Sequence, residues 1–378
     1  MGKADFEQAL EPLAGFRHFT THHCVTGSMR HVYVYNDHDV SEEMLLGLGS
    51  GVSFSYWHFK GQTPFIGGRG NVGRPSEEGL EKTAGRRTGV AVEWYTTSSA
   101  RKAEQTMLQM LDAGQAVMIQ CDMGYLPYFD FGDTDYHFGW HVVVVCGYDP
   151  EARRVLIADR DEELHSVSME ALARARGSKH KPFPPKNKWY TFDFSGKRQP
   201  TAGEVRQAIA EQAQVMLEPP IRNIGVAGIR KAAQEVPKWP QKLGADELRW
   251  TLFNAHIFIN PEGGSGGGIF RYMFSRFLRQ AADIAGDARL ADSADEFQQI
   301  GDRWEELGAW FRRTSEAPDP AALLGECVAS LNHLADLEEV AWRRLREFAQ
   351  GCRSARCTPT FPTGRGCWPL PSNCACAL

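Results

Sequence analysis

Cys24, His141 and Asp159 have the residue types of a nucleophile, its base and the group that orients the base. Cys24 follows His22 and His23 where the chain begins to read as a helix. The free amides and dipole of a helix N-terminus favour the thiolate, the reactive form of a cysteine. His141 opens the β-branched run His141-Val-Val-Val-Val-Cys-Gly147, so its imidazole stands at the mouth of a strand, within reach of a thiol on a facing helix. Asp159 ends Arg154-Val-Leu-Ile-Ala-Asp159, and antiparallel pairing of those two strands brings it beside His141, where a carboxylate fixes the imidazole tautomer. Each residue alone has a plainer reading. A cysteine is often just a small buried hydrophobe, which is the reading for Cys121 and Cys146, and a strand-end histidine is often a solvated edge residue. The ordered set points to cysteine–histidine chemistry.

The elements that must hold this set are legible in the first half of the chain. The spacing predicts helices over Cys24 to Tyr35 and Ser41 to Leu48, then a strand over Val52 to Phe59. Ser41 caps the second helix, and Glu42 and Glu43 favour its positive end. Ala100 to Ala113 is helical in spacing and closed by Gly114. Gln115 to Cys121 follows as a buried strand, and the hairpin carrying His141 and Asp159 turns at Tyr148 to Ala152. The order predicts an α+β domain. Gly177 to Pro200, rich in Lys and Pro and containing Phe183-Pro-Pro-Lys-Asn, reads as an exposed linker at a domain boundary.

Beyond it the pattern is helical over Glu204 to Leu217, Gly268 to Ala285, Ala288 to Ser315 and Pro320 to Gln350. The expected layout is a catalytic domain over residues 16–185, a helical domain over 200–350 and a disordered Cys-rich tail over 351–378.

A chain of 378 residues suits two domains, and 42 Lys+Arg against 47 Asp+Glu lacks the basic excess of a nucleic-acid binder. No run reaches the roughly 20 apolar residues of a membrane span, and Met1 to Gly15 does not read as a secretory signal, so a cytoplasmic protein without membrane partners is expected. Nine Cys, five of them in the tail, do not form a disulfide framework or a metal site. Gly47 to Gly51 follows a helix and lacks the dinucleotide-binding context. Gly263-Gly-Ser-Gly-Gly-Gly268 reads as a flexible connector, with anion binding beside Arg271 as the lesser option. Phe270, Tyr272, Met273, Phe274 and Phe277, with Trp304, Trp310 and Trp342, are at core spacing and call for no cofactor.

His23-Cys24-Val-Thr-Gly-Ser-Met-Arg30, Ser41-Glu-Glu-Met-Leu-Leu-Gly-Leu-Gly-Ser-Gly51 and His141-Val-Val-Val-Val-Cys-Gly-Tyr-Asp149 with Asp159 resemble the butirosin biosynthesis protein H family. Asn223-Ile-Gly-Val-Ala-Gly-Ile-Arg230 with Trp239, Gly266-Gly-Gly-Ile-Phe-Arg271 with Phe274 and Phe277, and Phe297 with Trp304 resemble its helical domain, so the likeness covers about residues 16–350. The resemblance implies a papain-like N-terminal region and acyl transfer from an acyl-carrier-protein thioester to a small-molecule amine. It implies no intrinsic cofactor, with phosphopantetheine entering as part of the substrate, and it assigns the catalytic roles to Cys24, His141 and Asp159. Related papain-like enzymes place a polar side chain, usually Gln, a little over one helical turn before the nucleophile to help hold the oxyanion; in this chain that position is His18, a departure from the pattern. A peptidase or amidase using the same residues, and a non-catalytic module binding a carrier or peptide, are the rival expectations.

Overall fold

The computed structural model describes residues 10–72, 78–132 and 134–354. Helix α1, Cys24–Tyr35, starts on His23, whose ring accepts from the Thr26 amide. Helix α2, Glu42–Leu48, starts on Ser41, whose hydroxyl accepts from the Met44 amide. An antiparallel hairpin follows, β1 (Val52–Trp57) and β2 (Phe65–Arg69). The chain then runs through α3 (Gly79–Arg87), β3 (Ala91–Tyr95), α4 (Ala100–Asp112), β4 (Val117–Cys121), β5 (His141–Asp149), β6 (Arg154–Ala158), β7 (Leu164–Ser168), α5 (Met169–Gly177) and β8 (Trp189–Asp193).

The second sheet has six strands in the order β3-β8-β4-β5-β6-β7, paired antiparallel. Both of its faces are buried. Met118, Val142 and Val144 join the core shared with α1, whereas Ile119, Val143 and Val145 join a second core with α4 and α5. That double burial is why β5 is an unbroken apolar run rather than an alternating one. The linker expected over 177–200 is corrected here, because β8 lies inside it, between β3 and β4. Trp189 faces one core and Tyr190 the other, so five strand-forming residues outweigh the Pro- and Lys-rich sequence before them.

The remainder is helical: α6 (Ala202–Leu217), α7 (Gly225–Glu235), α8 (Ala245–Ile259), α9 (Arg271–Ala285), α10 (Arg289–Glu316), α11 (Pro320–Leu323) and α12 (Cys327–Ser354). The single helix expected over 320–350 is broken at Leu324–Glu326, where Gly325 sits. α12 runs on through Ser354, and the rest of the expected Cys-rich tail, 355–378, lies outside the described residues. The glycine run is not a flexible connector: Gly264 to Phe270 are buried, and a Cβ on Gly266 would stand 2.7 Å from Met273 and 3.2 Å from the His22 Cβ. Arg271 is fully buried and ion-paired to Glu338 at 2.7 Å, so it is not open to an anion.

The helices dock on the β1–β2 hairpin. The Tyr56 amide donates to the Asn223 carbonyl at 2.9 Å, the Asn223 amide returns a bond to Tyr56 at 2.7 Å, and Arg271 Nη1 donates to the Ser53 carbonyl at 2.7 Å. One core is therefore continuous between the sheet and the helices. Among the described residues no helix is long and apolar enough to cross a membrane.

Candidate active site

Cys24 is the first residue of α1, so its amide is one of the donors a helix start leaves without an intrahelical partner. Its half-buried side chain reaches the end of β5, where the thiol bonds to His141 and meets the Val142 amide. His141 Nε2 lies 2.7 Å from Asp159 Oδ2, which leaves Nδ1 as the ring nitrogen for the thiol. The strand register explains the second contact. Val144 pairs with Ala158, so the next residue, Asp159, comes opposite Val143 and on the same face as His141. The structure thus brings together all three residues singled out from the sequence.

Several supports hold this arrangement. Ser28 of α1 donates to the Val142 carbonyl at 3.1 Å, and the Thr21 amide donates to the Arg160 carbonyl at 2.8 Å. Glu42, expected only to favour its own helix start, is buried and has a further task. It accepts the His22 and His23 amides at 2.9 and 2.7 Å and the Thr26 hydroxyl at 3.1 Å, clamping the turn that presents Cys24. Tyr128 donates its hydroxyl to Asp159 Oδ2 at 2.9 Å, and the Phe129 ring stands edge-on to His141 at 5.4 Å. Among the described residues the buried Asp159 Oδ1 atom has no partner. His18 is exposed and its Nε2 faces the Glu162 carbonyl at 2.6 Å, so its ring is engaged away from the thiol.

The electrostatics favour a charged pair. Burial alone would raise the Cys24 pKa, but the bond and charge of His141, the charge of Arg160 and the Val142 amide outweigh it and hold the thiol below its ordinary value. Burial would lower His141, yet the charge and hydrogen bond of Asp159, with the facing thiol, lift it to about 9. Asp159 is held below its usual range, because His141, Arg160 and Tyr128 override its burial. The shifts favour a thiolate facing an imidazolium, and the two groups titrate as one coupled pair. Burial raises Glu42 to about 7 despite its three donors. Among the described residues no three His, Cys, Asp or Glu side chains converge as metal ligands.

Sequence reasoning missed Tyr128, Arg160 and the role of Glu42. Arg160 directly follows Asp159, and a charge next to a candidate residue is a signal available in advance. Tyr128 and Glu42 gave none, since only the fold decides which hydroxyl or carboxylate faces the site.

A cysteine on a helix start against a strand-end histidine and a buried aspartate defines a mixed α+β protein with a candidate cysteine nucleophile. Residues 23–160 match the model described as butirosin biosynthesis protein H, N-terminal, a span that opens one residue before Cys24 and closes one after Asp159. Over this domain the chain is similar to the butirosin biosynthesis protein H family. Residues 170–345 match DUF4872, a domain of unknown function. None of the curated proteins compared matches the chain.

Proposed function

We propose that the protein is a biosynthetic cysteine acyltransferase of papain-like architecture, moving an acyl group from a carrier-protein thioester to a small-molecule amine. Its family connects it with antibiotic biosynthesis. The observation that carries the reading is the Cys24–His141–Asp159 alignment, in which the thiol is acidified and the imidazole lifted to about 9.

The Cys24 thiolate attacks the thioester carbonyl. As the tetrahedral adduct collapses, the bond to the carrier sulfur breaks and that sulfur takes the proton from His141. Exchange of one thioester for another is nearly isoenergetic, so the acyl group is held without a large drop in free energy. An amine then attacks the Cys24 thioester and gives its proton to His141, and the amide leaves as the thiolate–imidazolium pair is restored. Asp159 keeps the imidazole oriented throughout. The Cys24 amide is placed to stabilise the oxyanion. Water would divert the acyl-enzyme to hydrolysis, and the packing of Gly264 and Gly266 against Arg160 and His22 supports a role for the helical half in covering that flank.

Incubating wild type and Cys24→Ala with an acyl-pantetheine thioester, without acceptor, and weighing the intact proteins tests the reading. An acyl adduct on wild type alone is expected. Cleavage of amide substrates with no adduct would replace it with a peptidase or amidase, and inertness of both proteins would favour a carrier- or peptide-binding module.

A further inference from the structure

Among the described residues, two cations near Cys24 make no direct ion pair. Arg69, half-buried at the end of β2, donates through Nε to the Gly70 carbonyl at 3.0 Å and sets Nη1 3.0 Å from His23 Nε2, the residue before the nucleophile. Lys188, half-buried before β8, lies over the rings of Trp94 and Tyr190 at 4.7 and 4.6 Å. Among the described residues neither is in ion-pair contact with a carboxylate. Glu81, the nearby acid, accepts the Tyr190 hydroxyl at 3.0 Å.

The sheet register places Lys188 relative to the thiol. Its carbonyl accepts the Gln120 amide at 3.1 Å, and Gln120 pairs with Val142, whose amide meets the Cys24 thiol. Lys188 shares a face with Tyr190, two residues on, which belongs to the core packed on α1. It therefore stands in the thiol's row of the sheet, two strand spacings away, on the order of 10 Å. Electrostatic coupling agrees: after burial, Glu81 and Cys24 act most strongly on Arg69, and Glu81 and Arg69 on Lys188. Burial depresses both pKa values, and the Glu81 charge offsets only part of that loss of water.

We infer that Arg69 and Lys188 form a subsite for a carboxylate carried on the acyl group of the donor. It rests on the acyl-transfer reading and narrows it to an acidic acyl chain. A carboxylate a few carbons beyond the carbonyl held on Cys24 spans the gap to Lys188. The phosphate of a pantetheine arm does not fit, because it hangs from the departing sulfur at the end of a long chain.

The test compares glutaryl-pantetheine with its neutral isostere glutaramoyl-pantetheine as acylating agents of Cys24, by intact mass against time, in wild type and Lys188→Gln. The wild type should take the glutaryl group at least tenfold faster, and Lys188→Gln should lose that preference while keeping its glutaramoyl rate. Equal rates in wild type, or a preference untouched by Lys188→Gln, would overturn the inference. If neither thioester acylates wild type, the acyl-transfer reading fails separately, and glutarate protection of Cys24 against iodoacetamide decides the subsite. Protection in wild type that is lost in Lys188→Gln sustains it, and no protection ends it.

Discussion

Two buried ionic networks in this molecule differ in which group they leave unsatisfied. In the helical half, Glu338 takes Arg271 Nε at 2.7 Å, Trp304 Nε1 at 2.8 Å and Trp342 Nε1 at 2.7 Å, while Arg271 Nη1 donates to two carbonyls. Every oxygen of that acid has a donor. In the candidate site, Asp159 directs one oxygen at both His141 and Tyr128 and leaves the other without a partner among the described residues, and the nearby thiol is half-buried. Among the described residues the helical network saturates its acid and strands a cation nitrogen, Arg271 Nη2, whereas the candidate site leaves an acid oxygen, Asp159 Oδ1, unmatched behind a half-buried thiol.

The difference is sharpest under His141→Ala. Loss of the base should slow Cys24 acylation by about a thousandfold with little change in melting temperature, because general acid–base catalysis is worth roughly 10²–10⁴-fold. A variant that is active but unstable would mean the site is structural too. Glu338→Ala should do the reverse. Stranding Arg271 in the core costs about 3–5 kcal/mol, read by denaturant unfolding, while the pH profile of Cys24 alkylation in the folded fraction stays as in wild type. A shifted profile would show the two networks to be coupled.

The pH window follows from the charged pair. His141, raised to about 9, is protonated below that value and neutral above it, and the facing thiol is held below its ordinary value. Iodoacetamide alkylation of Cys24 should therefore set in at lower pH than for a free cysteine, with a second change in rate near pH 9. A single rise near pH 8.5, as for a free cysteine, would dissolve the pair. Smallest is Tyr128→Phe. Removing its hydroxyl leaves the Asp159 charge less shared, so Asp159 should hold the His141 proton more strongly and move the upper transition to higher pH by less than one unit, on the order of a weak hydrogen bond. An unmoved transition would reduce Tyr128 to packing.

Much of the catalytic half was legible because its signals are local. The Ser41 cap of α2, the closure of α4 by Gly114 and the β-branched run of β5 each specify backbone geometry within a few residues. β2, β3, β7 and β8 escaped because short strands acquire their identity from neighbours far along the chain; β8 takes its place only by pairing with β3 and β4. α7 and α8 were missed as helices although Asn223–Arg230 stood out as a motif.

By itself the sequence determined a helix-start cysteine, a strand-start histidine and a strand-end aspartate, since periodicity and hairpin register are short-range properties. Only tertiary structure decided that Glu42 clamps the nucleophile's turn, that Tyr128 shares Asp159 and that the glycine run packs beside His22. It also decided that Arg69 and Lys188 stand near the thiol without counter-ions. Those contacts join residues dozens to hundreds of positions apart, and nothing local records which distant charge or hydroxyl will face a given atom once the core has closed.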